Sequence, residues 1–327
     1  MRGDIIRWLF AIGLLVLCSV QGAAAATLDR VRGEKLLHCG STIRPGLAFP
    51  AADGTWHGLN VDLCRAIAVA VIGPDARIEF HPYILPASYD AVRTGVDAVS
   101  FLTASEIIAA RLTEIALPGP PVFYETHGIL VPEVAEAERL EQLTETSICA
   151  EPGTGAERSL VAYFTAQKLP LRFFPFQESD ELLDAYYAGR CGAVANELTS
   201  LAALRLQAGL SGHASRLLAQ PLSAFPVMAS TGTGDARWAA VIDWTVQVLL
   251  RSNTRGTAGP GGGSEALPVT APAIGLDPGW QDRVRQAVGS YADIFERNLG
   301  TNSPLDLPRG LNADWTEGGL LCPPYSE

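Results

Sequence analysis

From Leu36 onward, short apolar runs alternate with longer runs of helical period. "LLHC" (36–39) reads as a strand. "VDLCRAIAVAVIG" (61–73) sets residues 61, 64, 67, 68 and 71 on one face of a helix, which Gly73-Pro74 ends. "ARIEFHPYI" (76–84) alternates as a strand does, and Ser88 is placed to cap the short helix "SYDAVRTG". "DAVSF" (97–101) and "HGILV" (127–131) are two further strands. A second series follows: strand 147–150, helix 155–168, strand "RFFPF", helix "ESDELLDAYYAG", strand "AVA" and helix "LTSLAALRLQAG". Residues 238–250 form a strongly apolar helix. Beyond the aperiodic "RGTAGPGGGSEALPVTAPAIG", the run "WQDRVRQAVGSYADIFERNL" reads as another helix. Such alternation predicts an α/β fold, with parallel sheets covered by helices on both faces.

The first 26 residues stand outside this pattern. Arg2 and Arg7 precede an apolar run from Leu9 to Val20, and Ala24-Ala25-Ala26 offers a cleavage site, the plan of a secretory signal peptide. Leu17 stands before Cys18, where a lipoprotein signal needs a small side chain. The mature chain is expected to begin near Thr27 and to reside outside the cytoplasm. Its remaining length suffices for two domains of roughly 150 residues. A net charge of −11 without a Lys/Arg cluster argues against nucleic acid and anionic membrane surfaces as partners.

Beyond the leader the cysteines are Cys39, Cys64, Cys149, Cys191 and Cys322. An oxidising compartment favours pairing. Cys39 with Cys64 is the natural local pair, and Cys149 with Cys191 would close a loop in the second half. Sequence alone leaves the connectivity open, buried thiols included, and Cys322 is left over. No CxxC or Cys/His zinc spacing is present, so neither a metal nor a cofactor is expected.

The stretch "EPGTGAERSL" (151–160) joins a strand to a helix through a glycine-rich turn, an arrangement suited to an anion. It lacks the Gly-Lys-Ser/Thr of a phosphate loop, and Glu151 and Glu157 flank it, which favours the single charge of a carboxylate. GxSxG, HExxH and GxGxxG patterns are absent too, so the standard chemistries they serve lose support. His57, His81, His127 and His213 are scattered, with His127 nearest a predicted hinge.

Several blocks resemble the general L-amino-acid-binding proteins of bacterial ABC importers. They are "GLNVDLCRAIAVAVIG" (58–73), "ICAEPGTGAERSLVAYF" (148–164), "AYYAGRCGAVANELTSLAALR" (185–205) and "YADIFERNLGTNSPLDLPRGLNADWTEGGLL" (291–321). The likeness runs from about Thr27 to Pro323, interrupted mainly at 252–274. It implies a type II periplasmic-binding fold: two α/β lobes joined by two crossovers, with a ligand cleft between them. Lobe 1 would comprise 27–131 and 229–327, and lobe 2 would comprise 132–228.

The resemblance also implies a site. The ligand carboxylate would meet Gly153 and Thr154 at the turn, although Thr154 could instead only cap its helix. Arg111 would add a bidentate guanidinium, the alternative being a surface pair with Glu106 or Glu114. Glu197 would take the ammonium, standing where the family usually has aspartate, the alternative being a surface glutamate that caps the helix starting at Leu198. After the first-lobe strand the family is polar, whereas this chain reads Ser100-Phe101-Leu102-Thr103-Ala104. Leu47 stands at the early pocket aromatic, with Phe49 two residues on. The pocket is therefore more apolar than the family's pattern, which tilts the ligand toward an apolar or unusual one.

The function implied is non-enzymatic capture in the periplasm of an amino acid or related small carboxylate, by a monomer, for delivery to an inner-membrane ABC permease. A sensory or accessory binding protein, and a dehydratase-type enzyme on the same fold, are the alternatives.

Overall fold

The computed structural model describes residues 27–84, 87–103, 116–254 and 271–322. In chain order the first half holds α1 (Thr27–Glu34), β1 (Leu36–Thr42), β2 (Phe49–Pro50), β3 (Trp56–His57), α2 (Leu59–Ile72), β4 (Arg77–Tyr83), α3 (Ala87–Thr94), β5 (Val99–Thr103), β6 (Ala116–Leu117) and β7 (Pro121–Pro132). Then come β8 (Ser147–Ala150), α4 (Gly155–Ala166), β9 (Arg172–Pro175), α5 (Ser179–Tyr187), β10 (Ala193–Glu197), α6 (Leu198–Leu210), β11 (Ser215–Leu217) and β12 (Ser223–Gly232). Helices α7 (Ala236–Thr254), α8 (Trp280–Val288) and α9 (Tyr291–Asn298) follow.

The main sheet runs β4-β1-β5-β12-β7-β10-β8-β9. At one end β4, β1 and β5 pair in parallel, and at the other β10, β8 and β9 do the same. Between them β7 and β12 run antiparallel to each other and to the strands beside them. Two parallel α/β halves thus hang on two long central strands, which carry the chain across and back.

Each half has its own apolar core, as a sheet buried by helices requires. One gathers Trp238, Trp280, Tyr291, Phe123 and Phe295 around α2 and the C-terminal helices. The other packs Ile129, Ile148, Leu160, Phe164 and Ala195 together, and Leu130, Tyr186 and Leu201 lie around the Cys149–Cys191 bridge. Disulfides join Cys39 to Cys64 and Cys149 to Cys191, tying β1 to α2 and β8 to the segment before β10. Cys322 is exposed and takes part in neither.

Three sequence expectations need correction. The run 280–299 is two helices, because Gly289 turns at φ +83° and Ser290 starts α9 with a capping box to Asp293. The strand expected at 127–131 begins at Pro121, and β12 was not anticipated. Both carry buried polar residues (Glu125, Thr126, His127, Ser230, Thr231), which break the apolar run that marks a central strand.

Candidate functional site

A cavity of about 450 Å³ opens between the halves, lined by Arg44, Thr103, His127, Arg158, Ser159, Glu197, Ser223 and their neighbours. Its first-half residues follow the carboxyl ends of strands: Thr103 ends β5, and Arg44 lies just past β1. Glu197 does the same from the second half, at the end of β10. Ligands of open α/β sheets gather at such ends.

Arg44 is set by a tight turn. Its backbone bridges to Ala48, and Gly46 between them takes φ +71°. A Cβ on Gly46 would lie 2.3 Å from Leu299 Cδ2, so both backbone angle and space demand glycine there. The turn sends Arg44 toward the second half, where its guanidinium nitrogen stands 3.3 Å from a carboxylate oxygen of Glu197. The two side chains are only 14% and 24% exposed, so this ion pair is weakly screened.

Helix α4 presents a second wall. Gly155, Arg158, Ser159 and Ala162 line the cavity at i, i+3, i+4 and i+7, one face of a helix. The anticipated turn works mainly upon itself. Thr154 caps α4, its hydroxyl accepting from the Glu157 amide (3.2 Å) and donating to the Glu151 carbonyl (2.7 Å). The Gly153 amide donates to the Glu157 carboxylate (2.6 Å), and Arg158 donates to the Gly153 carbonyl (2.9 Å). It is the first turn of the helix, rather than Gly153 and Thr154, that reaches the cavity.

The floor comes from the central strands. His127 Nδ1 lies 2.9 Å from Ser159 Oγ and 2.8 Å from Ser223 Oγ, and the two hydroxyls are 2.9 Å apart. This triangle links β7, α4 and β12. A Cβ on Gly155 would come within 2.8 Å of the imidazole, so glycine lets the helix sit against the ring. Burial, and then the charges of Arg44 and Arg158, push His127 down to about 4; it is neutral at pH 7.

Two residues earlier, on the same face of β7, Glu125 is fully buried. Thr199 donates to its carboxylate (2.6 Å), as does the Thr126 amide (3.0 Å). Burial foremost, and then Glu197, raise it to about 7, against the opposing pull of those hydrogen bonds and of Arg44.

Of the residues singled out from sequence, Thr103 and Glu197 line this cavity. Leu47 and Phe101 border a smaller adjoining recess with Arg44, Asn60 and Thr103, and both are buried. Phe49 is 37% exposed on the β2–β3 hairpin. Arg111 lies outside the described residues. Arg44, Arg158, Ser159, Ser223 and Glu125 were not singled out. The helical spacing of Gly155, Arg158 and Ser159 after a strand was the one local signal for any of them.

Two α/β halves on a pair of central strands, with a charged cavity at the strand ends between them, define a two-lobed solute receptor of the type II periplasmic-binding class. No family model matches the chain. The general L-amino acid-binding periplasmic protein AapJ of Rhizobium johnstonii is 31% identical over 333 residues, 96% of this chain and 97% of its own. YhdW of Escherichia coli K12 is 30% identical over 341 residues, 99% of each chain. Among solved structures, an ABC transporter/periplasmic binding protein from Brucella ovis with glutathione bound superposes with a TM-score of 0.74 at 31% identity, covering 91% of this chain and 98% of its own. The chain belongs to the family of amino-acid-binding proteins of ABC transporters. Its role is that of a substrate-binding component.

Proposed function

We propose that this cavity captures a zwitterion, either an α-amino acid or a small peptide that keeps a free α-ammonium and carboxylate, for an ABC permease. The observation that carries this reading is the Arg44–Glu197 pair, whose members come from opposite lobes and meet across the cavity. A zwitterion exchanges that one contact for two charge-assisted ones, carboxylate to Arg44 and ammonium to Glu197, and so links the lobes through itself. Arg158 gives the site a second cation, suited to a second carboxylate. Such a group occurs in glutamate and in glutathione, the molecule named with the Brucella structure. Neutral His127, with Ser159 and Ser223, supplies uncharged hydrogen-bonding groups between the ionic poles.

The lobe division 27–131 plus 229–327 against 132–228 belongs to this proposal. So do export through the leader 1–26, a monomeric receptor, binding without catalysis, and contact of Leu47 and Phe101 with an apolar part of the ligand. Arg111 remains a candidate further guanidinium beside Arg44 and Arg158, and Gly153 and Thr154 act by shaping the start of α4.

Closure follows from differential binding: a ligand that touches both lobes favours the closed arrangement by whatever it gains there over the open one. Thermal melting against the common amino acids, glutathione, and dicarboxylates lacking an ammonium tests the reading. A true ligand at 100 times its Kd adds about 2.7 kcal/mol. A shift confined to compounds without an ammonium would remove Glu197 from its role, and no shift with any zwitterion would overturn the proposal.

A further inference from the structure

The parallel pairing of β1 with β4 sets His38 opposite Glu79 and Gly40 opposite His81. One face at this edge of the sheet therefore carries Glu79 and His81, two apart on β4, beside His38 from β1, about 40 residues earlier in the sequence. His38 Nδ1 lies 3.5 Å from one Glu79 oxygen, and His81 Nε2 lies 3.3 Å from the other. A ligand atom from each of the three residues lies within 4.8 Å of the others. His38 Nδ1 is buried and makes no hydrogen bond, and the two rings stack at 5.4 Å between centroids.

His81 is held from behind. Its Nδ1 stands 2.6 Å from Asp97 Oδ1, and the Asp97 side chain is fully buried. A carboxylate only accepts, so Nδ1 donates its proton to Asp97, and Nε2, which faces Glu79 in the metal-free protein, is the nitrogen left to give up its proton to a cation. Gly40 makes room for this arrangement. A Cβ there would come 2.3 Å from Asp97 Oδ2 and 2.5 Å from Tyr83 Cε2. A carboxylate fixing the tautomer of a ring whose other nitrogen faces further ligands is the usual outer support of a metal-bound histidine.

We propose that His38, Glu79 and His81 bind one divalent cation of the zinc class, with Asp97 as the positioning residue of His81. Tetrahedral Zn²⁺ with bonds of about 2.0–2.1 Å requires ligand atoms about 3.4 Å apart. Each imidazole nitrogen already stands about that far from the Glu79 carboxylate, at 3.5 Å from one oxygen and 3.3 Å from the other. Two nitrogens and one oxygen suit zinc and its late first-row neighbours, whereas magnesium and calcium prefer all-oxygen sites. The side chains are 22%, 55% and 25% exposed, so a cation and a completing water can reach them from solvent. The absence of a Cys/His zinc spacing in the sequence does not bear on this site, because strand pairing brings His38 to the Glu79 and His81 pair of β4.

The test is calorimetric titration of ZnCl₂ into tag-free protein stripped with chelator, beside CoCl₂ titration read by visible absorption. One equivalent of Zn²⁺ binds, cobalt gives the intense bands of a four-coordinate site, and Mg²⁺ and Ca²⁺ give neither. His38→Ala and His81→Ala each weaken Zn²⁺ by more than about 10-fold, and Asp97→Asn by about 10–100-fold. Glu79→Gln, on an exposed side chain, guards against variants that merely fail to fold; it weakens Zn²⁺ while leaving the melting temperature of the metal-free protein unchanged. Zinc that fails to bind, or binds equally to His38→Ala and to a correctly melting Glu79→Gln, would overturn the assignment.

Discussion

Glu125 and His127 stand two apart on one face of the strand that joins the lobes, and burial displaces them in opposite directions. The Glu125 carboxyl, ordinarily near 4.5, is raised to about 7 by burial and by Glu197. Between those values the folded chain keeps a proton that the unfolded chain releases. Stability therefore falls as pH rises from 4.5 to 7, by about 1.4 kcal/mol per unit and about 3 kcal/mol in all. The His127 imidazole, ordinarily near 6.5, is lowered to about 4 by burial and by Arg44 and Arg158. Here the unfolded chain takes up the proton, so stability is lost as pH falls from 6.5 to 4, by about 2–3 kcal/mol. The two contributions oppose each other between pH 4.5 and 6.5 and largely cancel there. Single substitutions uncover each half. Glu125→Gln, which keeps the partners Thr199 and Thr126, should lose about 2–3 kcal/mol relative to wild type on acidification from pH 6.5 to 4. His127→Asn should gain about 2 kcal/mol relative to wild type on acidification from pH 7 to 4.5. Urea unfolding followed by tryptophan fluorescence, at half-unit steps from pH 4 to 8, gives the differences directly. If the Glu125→Gln profile runs parallel to wild type throughout, Glu125 is ionised in the fold at neutral pH and the reasoning fails.

Other substitutions test the site and its supports. Arg44→Ala should weaken the ligand found in the melting screen by about 10–100-fold, the worth of a charge-assisted hydrogen bond of about 1.5–3 kcal/mol; calorimetry showing unchanged affinity would take Arg44 out of the carboxylate site. Gly155→Ala drives a methyl against His127 and should cost about 1–3 kcal/mol in denaturant melts, since the new Cβ would sit 2.7 Å from Cε1. Replacing both cysteines of one bridge by serine should cost about 3.5 kcal/mol for Cys39–Cys64 and about 4 kcal/mol for Cys149–Cys191, from loops of 25 and 42 residues. The same melts measure these losses, and a cost well below 1 kcal/mol for either pair would contradict the loop-entropy reasoning.

The fold was legible wherever hydrophobic period and burial agree. Helix α2 buries nearly all its length, and its apolar spacing announced it. Strands β5, β8 and β10 are short buried runs that read plainly. The central strands were harder for a physical reason. β7 and β12 hold the lobes together and also floor the cavity, so they bury Glu125, Thr126, His127, Ser230 and Thr231 where a structural strand would place valine or leucine. Their polar interior hid them from a hydrophobic pattern, and it is also what makes them useful to a ligand. The helix break at Gly289-Ser290 was written in the residues, as a glycine followed by a capping serine and Asp293, but apolar spacing alone runs across it.

The site divides in the same way. Glu197 and Thr103 could be found because each ends a strand in a recognisable block. Gly153 and Thr154 were visible as a turn, yet their hydrogen bonds close on Glu151, Glu157 and Arg158, so the signal identified the start of α4 more than the groups that face the cavity. Arg44 left no local mark. Its position depends on Gly46 fitting under Leu299, some 250 residues away, and on β10 delivering Glu197 from the other lobe. The same holds for His38, which only the register of β1 on β4 brings beside Glu79 and His81. Local chemistry is readable when one segment supplies it. A pair or triad assembled by strand order becomes readable only once that order is known, and in this chain the charges with most to do are assembled in that second way.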